Sequence, residues 1–138
     1  ARFGDPEAQV VLPRLESDLA VIVDDLLEGR EPEIEWDQGR CCVGVVVAAD
    51  GYPGDYKRAF AIPDLAGADD DLDVYYSGVS QNSEGGLDAS GGRVYLVQAS
   101  GETLKDAQEK VYAALGAADT TGSFYRRDIG NRGVAAQG

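Results

Sequence analysis

The chain has 138 residues, 25 acidic side chains against 12 basic ones and a net charge of -13. That balance opposes nonspecific binding to nucleic acid or to an anionic membrane, while the length suffices for one domain with a core of its own. With no histidine, and with Cys41 and Cys42 as the only cysteines, a zinc site of the usual kind and Ser-His or Cys-His catalysis are excluded, so a metal here would be hard and oxygen-bound.

The chain begins ARFGDPEAQVVLPRL. Asp5-Pro6-Glu7 reads as a helix entry: Asp5 can cap free amides, Pro6 suits the first helical position and Glu7 favours the positive helix end. Arg2 stands just before it. A surface cap accounts for these residues, and so does a place where a cation, a carboxylate and exposed amides meet a small substrate carrying both charge signs. Leu15, Leu19, Ile22 and Leu26 recur at steps of four, three and four, which predicts one helical face ending near Gly29. Pro13 divides the lead into a short helix from Pro6 and a longer one. EGREPEIEWDQG follows as a polar connection touching the core through Ile34 and Trp36.

From Arg40 the pattern changes to CCVGVVVAADGYPG, a valine-rich run that suits a buried strand. Cys41 and Cys42, adjacent on it, face opposite sides and remain free thiols. Within Tyr52-Pro53-Gly54-Asp55 the positions of proline and glycine match a type II turn. KRAFAIPDL, DVYYSGVS and GGRVYLVQAS supply further short strands, the last alternating Val94, Leu96 and Gln98 with Tyr95, Val97 and Ala99. Asp69-Asp70-Asp71 reads as a solvated loop, because it lacks the spaced ligands of a calcium loop. Thr103 with Asp106 three residues on marks a capping box, and Leu104, Ala107, Val111 and Leu115 form the buried stripe of a helix stopping near Gly116. Glycine-rich turns between short strands favour local antiparallel pairing. The fold class expected is therefore α+β, with a helical lead, a mostly antiparallel sheet and one helix packed across it.

Three glycine-bearing segments could carry chemistry. Gly51, Tyr52, Pro53 and Gly54 let the backbone approach a ligand closely, or form a plain reverse turn. Gly91-Gly92-Arg93 offers unhindered amides beside a guanidinium for a phosphate or carboxylate, or is a hairpin turn with an exposed arginine. In YRRDIG, Arg126 and Asp128 share one face of an extended chain, as an ion pair or as a binding site. No GxxxxGK[ST] or GxGxxG is present, so a nucleotide site complete within this chain is not expected.

Taken in order, ARFGDPEAQVVLPRLESDL, WD, VGVVVAADGYPGDY, GGRVYLVQASGETLKDAQEKVYAAL and YRRDIG resemble the C-terminal part of the phosphoribosylamine–glycine ligase (glycinamide ribonucleotide synthetase) family, across nearly the whole chain. The resemblance implies an ATP-grasp ligase that uses ATP with Mg²⁺ or Mn²⁺ to join glycine to 5-phosphoribosylamine in purine biosynthesis, in the cytoplasm, through a glycyl phosphate. It implies a barrel-sandwich-like C-terminal domain over 30–138, preceded over 1–29 by the end of the ATP-grasp region. The family's metal-binding Glu-x-Asn precedes the segment that opens this chain. The resemblance thus implies an excised domain that lacks its N-terminal and ATP-grasp partners, is inactive alone and holds no metal or ATP. It assigns Arg2, Asp5 and Glu7 to the edge of the reaction centre, with Arg2 on phosphoryl or carboxylate charge and Asp5 positioning. Gly51 to Gly54, Arg93, Arg126 and Asp128 shape the phosphoribosylamine pocket. Two departures stand out: YYSGV over 75–79 replaces the family's FHAGT, changing its histidine and threonine at Tyr76 and Val79, and Ala89-Ser90 replaces its threonine-asparagine pair. The alternative is a structural or carrier-like module of the same fold without catalysis; a carrier needs a lysine on a hairpin tip, and the lysines are Lys57, Lys105 and Lys110.

Overall fold

Two nine-residue runs, each dominated by valine and other apolar residues, form the centre of the molecule. The computed structural model describes residues 2–65 and 70–137. Its elements in chain order are α1 (Ala8–Val11), α2 (Leu19–Leu27), β1 (Cys41–Ala49), β2 (Leu72–Tyr76), β3 (Val79–Gln81), β4 (Leu87–Ala89), β5 (Arg93–Gly101), α3 (Leu104–Ala117), β6 (Ser123–Tyr125) and α4 (Asn131–Gln137). The strands make an antiparallel sheet in the order β2-β5-β1-β6 and a separate hairpin of β3 with β4. This is the α+β arrangement expected.

Alternation along the central pair decides the layers. Val43, Val45, Val47 and Ala49 of β1 join Tyr95, Val97 and Ala99 of β5 in one core with Ala107, Val111 and Leu115 of α3. Each fully buried Val or Leu there contributes roughly 1.5–3 kcal/mol. The opposite face lies under α1, where a Cβ added at Gly44 would stand 2.6 Å from Val10 Cγ1. Both faces of β5 are therefore covered, and Gln98 is fully buried on it. Burial pushes the Tyr95 hydroxyl up to about 12, so it stays un-ionised at neutral pH.

The capping box is present in full: Asp106 N–H donates to Thr103 Oγ1 at 3.1 Å and Thr103 N–H to Asp106 Oδ2 at 3.0 Å. Thr103→Ala is expected to lower stability by about 1 kcal/mol, read as a lower urea midpoint at unchanged slope.

The lead departs from the sequence expectation. Asp5 does not cap α1, because its carboxylate is taken up by Gln9 Nε2 at 3.1 Å and by Arg93 at 2.9 Å. Pro6 precedes the helix through a cis peptide bond, and α1 starts at Ala8 with no side-chain cap. Pro13 does divide the lead, within a 3-10 turn over Leu12–Arg14. Asp18 caps α2, which ends before Gly29 at φ +72°. Of its expected core stripe only Ile22 is buried, while Leu19 and Leu26 are 40% and 60% exposed. The reason lies in the connection, which pairs back along the lead: Glu16 N–H donates to Glu35 O at 3.0 Å and Asp37 N–H to Arg14 O at 2.8 Å. Trp36 bridges to Leu15 instead of entering the core, and Ile34 and Trp36 are exposed.

Other differences are local. KRAFAIPDL forms one isolated bridge, Ala61 to Asp88, although Ala59 and Ile62 N–H donate to the Ala89 and Leu87 carbonyls and Ala89 N–H donates back to Phe60 O. DVYYSGVS splits at Ser77-Gly78 into β2 and β3. The short β6 and α4 were not anticipated from the sequence. Asp69 lies outside the described residues and Asp70 is exposed. Asp71, however, is a half-buried junction that accepts from Arg40 Nη2 and from Lys110 Nζ, tying β1 and α3 to the start of β2. These cations hold its carboxyl below the usual carboxylate range. A depressed folded-state pKa means the stabilisation is present above the unfolded value and lost as pH falls through the folded one. Asp71→Asn should therefore lower the neutral-pH unfolding midpoint and flatten its decline on acidification, which urea titrations at several pH values would measure.

Candidate functional site

Gly51–Gly54 and Gly91-Gly92-Arg93 meet where β1 ends and β5 begins, while Glu7, Arg126 and Asp128 line clefts elsewhere. β1 ends in a turn made necessary by glycine: Gly51 has φ +95°, and a Cβ there would collide with the carbonyl of Asp55. Gly54 N–H donates to Gly51 O at 2.9 Å and the Tyr52–Pro53 bond is cis. The turn thus spans Gly51–Gly54 with proline third, in place of the expected type II turn over Tyr52–Asp55. Tyr52 lies directly over Gly92, where any Cβ would meet its ring. The same glycine's carbonyl accepts from Ala49 N–H at 2.8 Å. The GYPG turn and the Gly91-Gly92-Arg93 turn are therefore packed neighbours.

Gly78 fixes the second turn from below. A Cβ at Gly78 would stand 2.6 Å from both the Arg93 carbonyl oxygen and the Gly91 Cα, while Ser90 and Gly91 N–H groups donate to Gly78 O at 2.8 and 3.0 Å. Sequence reading passed over this residue, whose only signal is a lone glycine inside a strand-like run. Of the neighbouring departures, Val79 and Ala89 pair with each other in the hairpin, where Ala89 is buried, while Tyr76 is 41% exposed and pairs with Tyr95.

Arg93 brings the lead to this rim. Its guanidinium meets Asp5 Oδ2 at 2.9 Å and donates to the Asp5 carbonyl at 3.3 Å. Two residues of different predicted roles, 88 positions apart, thus form one contact. Both side chains are about 40% accessible (44% and 35%), which leaves room for an incoming anion. Arg2 is exposed and donates to the Phe3 carbonyl, and no ion pair among the described residues joins it to Asp5 or Arg93.

Arg126 and Asp128 form a second cluster, a bidentate ion pair at 2.9 and 2.7 Å. Each holds the other charged, Arg126 shifted up and Asp128 down. They line a cleft of about 490 Å³ with Gly130, Asn131 and Arg132. Two side chains of α3 hold this segment. The Tyr112 hydroxyl donates to Arg126 O at 2.9 Å and accepts from Ile129 N–H at 3.0 Å, and Gln108 Nε2 donates to Ile129 O at 2.7 Å. These positions were missed, since a polar residue on a helix flank gives no sign of what it will reach. Glu7 borders a smaller cleft of about 240 Å³ that also includes Ile129 and Gly130. The lead thus runs from Arg93 at one cluster to the flank of the other.

Among the described residues no group of three or more Asp, Glu or Cys side chains is gathered for a metal ion. Lys105 and Lys110 lie on α3, and Lys57 pairs with Asp50 at 3.1 Å; none stands on the β3–β4 hairpin. No helix among the described residues is long and apolar enough to cross a membrane.

A sheet backed by one helix, with cationic and glycine turns at its ends, defines an α+β domain. Its fold is similar to the crystal structure of phosphoribosylamine–glycine ligase from Thermotoga maritima, with a TM-score of 0.78 and 29% identity over 93% of this chain and 31% of that one. Residues 42–132 match the family Phosphoribosylglycinamide synthetase, C domain, and the chain belongs to it. The phosphoribosylamine–glycine ligase of Lactococcus lactis subsp. lactis is 50% identical over 97% of this chain and 32% of its own length. That of Halalkalibacterium halodurans is 47% identical over 98% and 31%. The chain spans about a third of the length of the curated relatives it matches.

Proposed function

We propose that this chain acts as the C-terminal domain of an ATP-grasp ligase that joins glycine to 5-phosphoribosylamine in cytoplasmic purine biosynthesis, with 1–29 ending the ATP-grasp region and 30–138 forming the C-terminal domain. The observation that carries the reading is 50% identity to a phosphoribosylamine–glycine ligase across 97% of the chain. In this reading Arg93, presented by the Gly91-Gly92 turn, and Arg126, presented at the mouth of its cleft, neutralise the phosphate of phosphoribosylamine. The Gly51–Gly54 turn lets backbone approach the sugar. Asp5 orients Arg93, Glu7 borders the reaction centre and Arg2 meets phosphoryl or carboxylate charge. ATP and Mg²⁺ or Mn²⁺ supply the activation of glycine. Among the described residues no group of three or more Asp, Glu or Cys side chains is gathered for a metal ion, so no step of this chain is derived through one.

The exposed apolar residues of α2, among them Leu26 and Leu27 at 60% and 81% accessibility, support a working state in which other parts of a longer polypeptide cover that helix. Genetic complementation tests the reading. A ligase whose C-terminal third is this chain should restore growth without purines to a strain lacking the enzyme, and failure of a stably expressed hybrid would count against it.

A further inference from the structure

The Arg126–Asp128 pair lies open to solvent, with the two side chains 69% and 57% accessible. An exposed pair contributes little to its own placement, so where it stands in the cleft of about 490 Å³ is decided by the backbone that carries it. That backbone leaves β6 at Tyr125 and has no regular element of its own until α4 begins at Asn131.

α3 supplies what this segment lacks. Ala107, Val111 and Leu115 fix the helix in the core, and Gln108 and Tyr112, four residues apart on one face, stand one position further round it. The Tyr112 hydroxyl donates to the Arg126 carbonyl at 2.9 Å and accepts from Ile129 N–H at 3.0 Å. In an ordinary hydrogen-bonded turn the carbonyl of the first residue accepts directly from the amide of the fourth. Arg126 and Ile129 have that spacing, but a hydroxyl is inserted between them, so the two groups are held apart by one oxygen. Gln108 Nε2 takes the other side of Ile129, donating to its carbonyl at 2.7 Å and to Asn131 Oδ1 at 2.8 Å. Both backbone groups of Ile129 therefore end on one face of α3. The approach is close: a Cβ on Gly130 would stand 3.2 Å from that same amide nitrogen. Burial pushes the Tyr112 hydroxyl up, which preserves the proton that the Arg126 carbonyl accepts.

We infer that Tyr112 is a positioning residue for the ligase reaction: its hydroxyl, inserted between Arg126 O and Ile129 N–H, sets the spread of the turn that holds Arg126 at the mouth of the cleft, while Gln108 fixes the far side of that turn. This rests on the reading of Arg126 as a contact to the phosphate of phosphoribosylamine. Tyr112 touches no substrate in this role. Without the hydroxyl the Arg126 carbonyl and the Ile129 amide close on each other or on water, and the guanidinium moves away from the place where the phosphate arrives.

The test is made in a full-length ligase whose C-terminal third is this chain. Tyr112→Phe keeps the ring beside Tyr125, with centroids 6.3 Å apart, and removes only the hydroxyl. It should raise KM for phosphoribosylamine about fivefold, with a smaller fall in kcat and KM for ATP unchanged. Gln108→Leu, the second variant, should raise the same KM by a similar factor. Tyr112→Phe combined with Arg126→Met should show a KM little above that of Arg126→Met alone, because nothing is left for the turn to position. If Arg126→Met raises KM while folded Tyr112→Phe and Gln108→Leu keep the parent KM, the positioning role is overturned and Arg126 keeps its contact. If Arg126→Met itself leaves KM unchanged, the phosphate contact falls and the positioning role falls with it. Equal rises in KM for ATP and for phosphoribosylamine, or full additivity in the double variant, also overturn the positioning role, since the first marks a loss spread through the enzyme and the second an effect apart from Arg126.

Discussion

Gly78→Ala is expected to lower the unfolding temperature on the order of 10 °C. The added Cβ would stand 2.6 Å from the Arg93 carbonyl oxygen and from the Gly91 Cα. Both obstacles are backbone, which cannot rotate aside as a side chain can. Overpacking of this kind costs about 1–3 kcal/mol, and a backbone obstacle sits at the upper end. The effect should also be local in kind. Ser90 and Gly91 N–H groups bond to Gly78 O, so relief of the clash moves the turn that presents Arg93. Calorimetry measures the first effect, and amide shifts confined to residues 76–79 and 90–94 measure the second. Gly116→Ala is the matched control, because nothing lies within 4 Å of a Cβ there.

Arg93→Met, placed in a ligase that carries this chain, is expected to reduce kcat/KM for phosphoribosylamine by about 10²-fold, mostly through KM, with ATP affinity unchanged. Loss of a charge-assisted contact to a bound phosphate is worth about 1.5–3 kcal/mol, which spans that factor. Asp5→Asn should give part of the same loss, since the 2.9 Å contact orients the guanidinium. The two changes together should cost little more than Arg93→Met alone, because Asp5 then has nothing left to orient. Steady-state kinetics of the two single variants and the double variant measure this. Full additivity would mean that Asp5 acts on its own, and an unchanged KM in Arg93→Met would remove Arg93 from the pocket. The stability share of the pair is small, because both side chains are more than a third accessible.

The parts legible in the sequence were those with strong local signatures. The valine run of β1, the alternation of β5 and the capping box with its apolar stripe in α3 each announced an element, and together they form the core. The lead was legible in outline only. Of its four-three-four stripe, Leu19, Ile22 and Leu26 lie on α2 while Leu15 stands before the helix in the bridge to Trp36, and periodicity reports that a face is apolar without saying what covers it. Asp5 illustrates the same gap: its position before proline suggested a cap, whereas a partner 88 residues away claimed the carboxylate. β6 and α4 are three and seven residues long, too short for a periodic signal, and α4 carries Gly133 in its middle. Asp71 was hidden in a charge run whose neighbours gave no hint of Arg40 and Lys110 converging on it.

The candidate site was legible as residue types and hidden as geometry. Gly51–Gly54, Gly92 and Arg93 were separately visible as glycine-bearing turns, and their adjacency follows only from the antiparallel register of β1 with β5. The Arg126–Asp128 pair was foreseen as one of two possibilities, and α3 holds it through Tyr112 and Gln108.

The central claim is tested most directly by ADP release from a purified ligase whose C-terminal third is this chain, measured with glycine alone, phosphoribosylamine alone, and both. The account predicts ADP release only when both are present, with stoichiometric glycinamide ribonucleotide. A folded hybrid that hydrolyses ATP without regard to phosphoribosylamine, or not at all with both substrates present, would contradict it.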